Sequence, residues 1–163
     1  MSKFPLCWIM FLLLMVSGAL SQDVHYDFDK TADFSKFKTY KWITLKSEAA
    51  SIDELADQQI TASLDAALAR KGFTKVDSNG TADLLIGYQT AEFIDEQFAF
   101  GNERTIHTGN LAVDMYVPAN QDPIWSGIAS KALDPKANPE KRQKNLNKAI
   151  AKLMKNYPPP VAY

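Results

Sequence analysis

The sequence predicts an α+β domain in which a mainly antiparallel sheet carries two amphipathic helices packed on one face. Short stretches rich in valine, isoleucine, tyrosine and tryptophan alternate with polar turns. Two longer segments repeat apolar residues at spacings of three and four, which is typical of helices. Because most successive strands are joined by short turns, we expect them to pair antiparallel.

The chain of 163 residues begins with the three parts of a secretory signal peptide. Lys3 precedes the uncharged run Leu6–Val16, and the small residues Ala19 and Ser21 follow. As a helix the run spans about 16 Å, too short for a hydrocarbon core of about 30 Å. We therefore expect a signal peptide over residues 1–21 and a single domain over residues 22–163. An uncleaved membrane anchor is the alternative.

The single cysteine and the near-zero net charge limit which sites and partners the protein can have. The single cysteine, Cys7, lies in the predicted signal peptide, so the exported chain has no thiol for disulfides or metal. A lipid anchor requires a cysteine near the end of the apolar run, whereas Cys7 lies near its beginning. We expect a periplasmic or secreted protein without a lipid anchor or transmembrane span. The formal net charge of -1 argues against nucleic acid as a partner.

The first predicted strands are Val24–Phe28 and Thr39–Ile43, since both are rich in β-branched and aromatic residues. A helix follows, and the spacing of Ser51 and Glu54 predicts a capping box at its start. Gly72 is expected to end this helix. Its buried stripe is predicted to comprise Ile52, Leu55, Ala56, Ile60, Leu64, Ala67 and Leu68.

Four further strands are predicted, two of them long and alternating, which indicates one buried face each. They are Phe73–Val76, Ala82–Phe93, Thr105–Val117 and Ile124–Leu133. The connection Glu96–Arg104 is expected to be a hairpin loop.

The second helix is predicted to begin at the N-cap Asn138, followed by Pro139 in its first turn. The run Pro158–Pro160 is expected to stop the chain from continuing as a helix. The buried stripe is predicted to comprise Leu146, Ala149, Ile150, Leu153 and Met154.

Alternating oxygen side chains at Asp27, Asp29, Thr31 and Asp33 resemble the first half of a calcium loop. Ala32 replaces the glycine that such a loop needs, so we interpret the run as a strand end with an Asx turn. The two histidines, His25 and His107, have no short metal-ligand spacing. We therefore predict no catalytic residue, no cofactor and no metal, with a histidine–carboxylate hydrolase as an alternative.

Two groups of residues are candidates for contact with a partner or lipid. The aromatic residues Phe93, Phe98 and Phe100 would form an apolar patch if they are exposed. Lys144, Lys148 and Lys152 lie on the last helix, in a segment with seven basic residues and one acid. These lysines either solvate a surface helix or contact an anionic partner or lipid surface.

Five blocks of the sequence, spread over residues 24–159, carry a resemblance to a known family. They are Val24–Trp42, Ala82–Tyr88, Gly109–Tyr116, Pro123–Ala129 and Ala149–Pro159. These blocks resemble a bacterial family, domain of unknown function 4136, whose members are cell-envelope proteins and often lipoproteins. The resemblance implies an envelope location and a single α+β domain, and supplies no catalytic residues.

Taken together, these features predict a non-catalytic exported domain that binds an envelope component or a partner protein. Besides the hydrolase, a second alternative to this binding domain is a carrier of an apolar ligand or lipid. Such a carrier would need a sizeable cavity between sheet and helices.

Overall fold

The structure is a computed structural model that describes residues 23–45, 53–99, 102–120 and 122–159. The predicted signal peptide, residues 1–21, lies outside the described residues, as do Ser51, Ile52 and Phe100. Within these ranges, six strands and two α-helices form in the order β1 Asp23–Phe28, β2 Thr39–Trp42, α1 Glu54–Arg70, β3 Thr74–Lys75, β4 Leu84–Ala99, β5 Asn102–Tyr116, β6 Trp125–Leu133 and α2 Pro139–Met154.

All six strands join one sheet, in the order β1-β6-β5-β4-β2-β3. The sheet is mixed, so the expectation of a mainly antiparallel sheet is partly wrong. Strands β1, β6, β5 and β4 pair antiparallel, whereas β2 runs parallel to both β3 and β4. The reason is the long connection through α1, which returns the chain so that β3 enters in the direction of β2.

Both helices cover the same face of the sheet, as predicted. Asp65 of α1 accepts hydrogen bonds from Tyr40 and Trp42 of β2, and Leu153 of α2 packs beside Gly127 of β6. The strand registers place these residues on one face. The core between the layers includes Leu64, Leu68, Leu84, Ile86, Val113, Met115, Trp125, Ile150, Leu153 and Met154.

The end of α1 is a Schellman motif, which confirms the predicted role of Gly72. The Phe73 amide donates to the Leu68 carbonyl at 3.1 Å, and the Gly72 amide donates to the Ala69 carbonyl at 3.0 Å. Gly72 has a φ of 86°, a conformation that glycine adopts without a Cβ penalty. At the start of α2, the Asn138 side chain accepts a hydrogen bond from the Lys141 amide at 2.8 Å, as an N-cap should.

The predicted start of α1 is wrong. Asp53 is the N-cap residue and Glu54 is the first helical residue, so Glu54 cannot complete a capping box. Glu54 and Asp57 place negative charge in the first turn instead, where it complements the helix dipole. Leu55, predicted to be buried, is 60% exposed because it lies in this first turn, away from the buried stripe that begins at Ile60.

Aromatic residues from three separate parts of the chain pack around one buried ring, that of Tyr157. Its centroid lies 5.9 Å from that of Phe34, 5.6 Å from that of Phe73 and 5.4 Å from that of Trp125. These edge-on and tilted contacts hold Phe34, which precedes β2, and Tyr157, which follows α2, against the sheet.

Two buried tyrosines make stability dependent on alkaline pH. Burial raises the pKa of Tyr157, and burial together with the hydrogen bond to Asp65 raises the pKa of Tyr40. Between the unfolded pKa of about 10 and the higher folded values, the unfolded state binds fewer protons than the folded state, so stability falls as pH rises. We expect a loss of up to about 3 kcal/mol per pH unit for the pair.

Urea unfolding at about pH 9 and about pH 11 measures this loss. The Tyr40→Phe variant removes one of the tyrosines whose pKa is raised, so its stability should fall less steeply with pH than that of the wild type. A midpoint that does not change between the two pH values would contradict the assignment.

Candidate interaction site

The hairpin of β4 and β5 extends beyond the rest of the sheet. The two strands pair from Leu85 with Tyr116 to Ala99 with Asn102. Among the described residues, β6 accompanies β5 only as far as His107, and β2 accompanies β4 only near its start. We call residues 93–99 and 102–108 the arm. The predicted loop over Glu96–Arg104 is therefore wrong, because cross-strand pairing continues as far as Ala99 and Asn102.

The base of the arm exposes two large apolar side chains. Phe93 is 57% exposed and Ile94 is 63% exposed. Adjacent residues of a strand point to opposite faces, so the arm presents an apolar side chain on each side. Phe98 pairs with Glu103 through its backbone, and Phe100 lies outside the described residues. Ile94 was missed by the sequence analysis, although the alternation of β4 continues through it.

The two histidines lie on opposite faces of the sheet. His107 pairs with Leu133 on the helix-covered face, and its Nδ1 atom lies 2.7 Å from an oxygen of Glu92. His25 pairs with Ile128 on the other face. The structure therefore does not bring the two candidate histidines together. Within the described ranges, no group of three histidine, cysteine or carboxylate residues could hold a metal ion.

The calcium-like run forms local turns. The Asp29 carboxylate accepts hydrogen bonds from the Thr31 hydroxyl at 2.7 Å and amide at 2.8 Å, and Asp33 bonds Ser35 in the same way. The hydroxyl bonds, followed by other local bonds, lower the pKa of both carboxyls. These contacts confirm the interpretation of the run as Asx turns.

Helix α2 carries its lysines on the outer surface. Lys144, Lys148 and Lys152 are all exposed, as the spacing predicts. The neighbouring Lys141 lies 2.7 Å from Asp134. The single arginine of the helix, Arg142, is held by the backbone, since it donates to the carbonyls of Ala137 and Pro135.

A groove of about 340 Å³ separates the outer sides of α1 and α2. Its floor is a hydrogen-bonded group in which the Ser63 hydroxyl lies 2.8 Å from Asn147 Oδ1 and 3.1 Å from Gln143 Nε2. Alanines and polar side chains make up most of the lining. Such a lining does not favour an apolar ligand. None of the helices that the structure describes is long and apolar enough to cross a membrane.

Three solved structures share this fold. A DUF4136 family protein from Bacteroides thetaiotaomicron is 13% identical, with a TM-score of 0.58 over 84% of this chain and 96% of that one. A PDZ domain protein from Parabacteroides distasonis is 14% identical, with a TM-score of 0.56 over 87% of this chain and 37% of that one. A PelC dodecamer from Paraburkholderia phytofirmans is 10% identical, with a TM-score of 0.52 over 82% of this chain and 95% of that one.

The chain thus spans well under half the length of the PDZ domain protein. None of the curated protein sequences compared with this chain matches it. At the level of sequence, residues 24–159 match the family described as Domain of unknown function (DUF4136). Because the match covers most of the chain, this protein belongs to the DUF4136 family.

Proposed function

We propose that this protein is a non-catalytic interaction domain of the bacterial cell envelope, which binds further copies of the same chain through the arm. The observation that carries the proposal is the exposure of Phe93 and Ile94 on opposite faces of the β4–β5 hairpin, at the point where it leaves the rest of the sheet. The predicted signal peptide at residues 1–21 and the family resemblance both support a location in the cell envelope.

A two-stranded ribbon is marginally stable in water unless a third strand or another layer covers it. In the arm, the outer edge of β4 and, beyond His107, the outer edge of β5 have no strand neighbour among the described residues. Backbone groups at such edges are free to pair with another chain. A partner strand would form hydrogen bonds with these backbone groups, and its side chains would cover Phe93 and Ile94.

The arm favours a second copy as that partner because its two open edges differ. If the β4 edge of one copy meets the β5 edge of the next, the contact is head-to-tail, and repetition of the contact gives a closed ring or a filament. The PelC structure supports this direction, since a chain of similar fold assembles there as a dodecamer.

The test is a double substitution in the arm, Phe93→Ser with Ile94→Ser. Burial of two such side chains contributes about 3 kcal/mol or more, so the variant should self-associate roughly a hundredfold more weakly. Sedimentation velocity over a concentration series measures the association. The thermal unfolding midpoint should change little, because both side chains are exposed in the single chain.

The matched control replaces two exposed apolar residues outside the arm, Leu55→Ser with Ile128→Ser. Since Ile128 lies on the sheet face without helices, this control separates the arm from that face as the site of association. Retention of association by the arm variant, or its loss in the control, would overturn the proposal.

A further inference from the structure

The lysines of α2 form one continuous stripe. At about 100° per residue, the five lysines of this stripe fall within an arc of about 80° around the helix axis. This arc lies opposite the buried face formed by Ile150, Leu153 and Met154. The name lysine stripe refers below to Lys141, Lys144, Lys148, Lys152 and Lys155.

A lysine from the sheet adds to this charge. Lys131 lies on β6, on the face of the sheet that the helices cover, and its pKa is lowered first by burial and then by the positive charges of Lys148 and Lys141. None of the ion pairs formed among the described residues involves Lys131, Lys144 or Lys148. The fold therefore keeps like charges together, although the protein as a whole has a net charge of -1.

We infer that the lysine stripe and Lys131 form a docking surface for a bilayer rich in anionic phospholipids. Charge complementarity identifies the occupant, because positive side chains near a negative bilayer surface each add to its attraction. This surface is separate from the arm and does not depend on self-association.

The residue types favour a lipid surface over an acidic protein. Protein interfaces are depleted in lysine and rely on aromatic and arginine anchors. The stripe has no aromatic residue, and the one arginine of α2 is engaged by the carbonyls of Ala137 and Pro135. Lysine is a mobile point charge on a flexible stem, which suits phosphates that diffuse in a membrane.

The experiment measures the fraction of the protein that co-sediments with vesicles of phosphatidylethanolamine and phosphatidylglycerol. The protein is used in the form that the producing cell makes, after any processing. The test variant combines Lys131→Gln, Lys144→Gln and Lys148→Gln. Each lysine near the surface contributes about fivefold in partitioning, so we expect roughly a hundredfold loss. Raising salt from about 0.1 M to about 1 M should release the wild-type protein, because the Debye length falls from about 10 Å to about 3 Å.

The control variant removes three charges at the opposite end of the sheet, Lys30→Gln, Lys38→Gln and Lys71→Gln, and should bind like the wild type. Circular dichroism confirms that both variants fold. Equal binding of the test variant and wild type, an equal loss in the control, or equal binding to vesicles of phosphatidylcholine alone would overturn the inference. The self-association test contains no lipid, so the two proposals fail separately.

Discussion

The Gly127→Ala substitution is expected to destabilise the protein by about 3 kcal/mol, the upper part of the range for overpacked cores. A Cβ at this position would lie 2.7 Å from Leu153 Cδ1 and 3.0 Å from Trp125 Cζ2, and still closer to the end of the Trp125 ring. All three residues are buried, so the ring and α2 would have to shift together. Equilibrium urea unfolding measures the change in free energy.

The sign of this effect is informative, because alanine is ordinarily better than glycine inside a strand by about 0.5–1 kcal/mol. The matched control is Gly109→Ala, where the new Cβ would meet the end of the exposed Leu133 side chain, which can move. We expect a change within about 0.5 kcal/mol there. A Trp125→Phe change should partly rescue Gly127→Ala. Equal stability of the Gly127→Ala and Gly109→Ala variants would contradict the packing described.

The Asp65→Ala substitution should lower the free energy of unfolding by about 3–4 kcal/mol. It removes the hydrogen-bond acceptor of two aromatic side chains and leaves both donors without a partner. One oxygen of Asp65 accepts from the Tyr40 hydroxyl at 2.6 Å and from Trp42 Nε1 at 2.9 Å. The other accepts from Lys75 at 3.0 Å, so one carboxylate joins α1 to β2 and β3. Near-UV circular dichroism reports the loosened tryptophan, and urea unfolding gives the free energy.

Asp65→Asn is the control for this variant, since an amide oxygen still accepts from both aromatic donors. We expect it to lose less than half of what Asp65→Ala loses. An equal loss in the two variants would mean that negative charge, rather than hydrogen bonding, holds this contact.

Local sequence signals predicted the elements well, because their causes are local. Gly72 ends α1 and Asn138 caps α2 through bonds to residues at most five positions away. The ring of Trp125 lies against Gly127, two residues further along the same strand, so this contact also depends on local spacing.

Signals that depend on distant residues were harder to interpret. The parallel pairing of β2 with β4 depends on where α1 returns the chain, which no local pattern specifies. The pair Gly101 and Asn102 favoured a hairpin loop over Glu96–Arg104, but pairing between β4 and β5 continues as far as Ala99 and Asn102. Of the candidate site, the sequence indicated Phe93 and the lysines, while the arm itself became visible only through the strand register.

Cross-linking between copies tests head-to-tail association through the arm most directly. The domain predicted for the exported protein has no cysteine, so single cysteines introduced by Glu96→Cys and by Thr105→Cys react without background. Glu96 lies on β4 and Thr105 on β5. Mixed populations of the two variants, treated with a short bismaleimide, should give intermolecular links chiefly between positions 96 and 105. Links no more frequent than those of a Lys30→Cys control at the other end of the sheet would contradict the account.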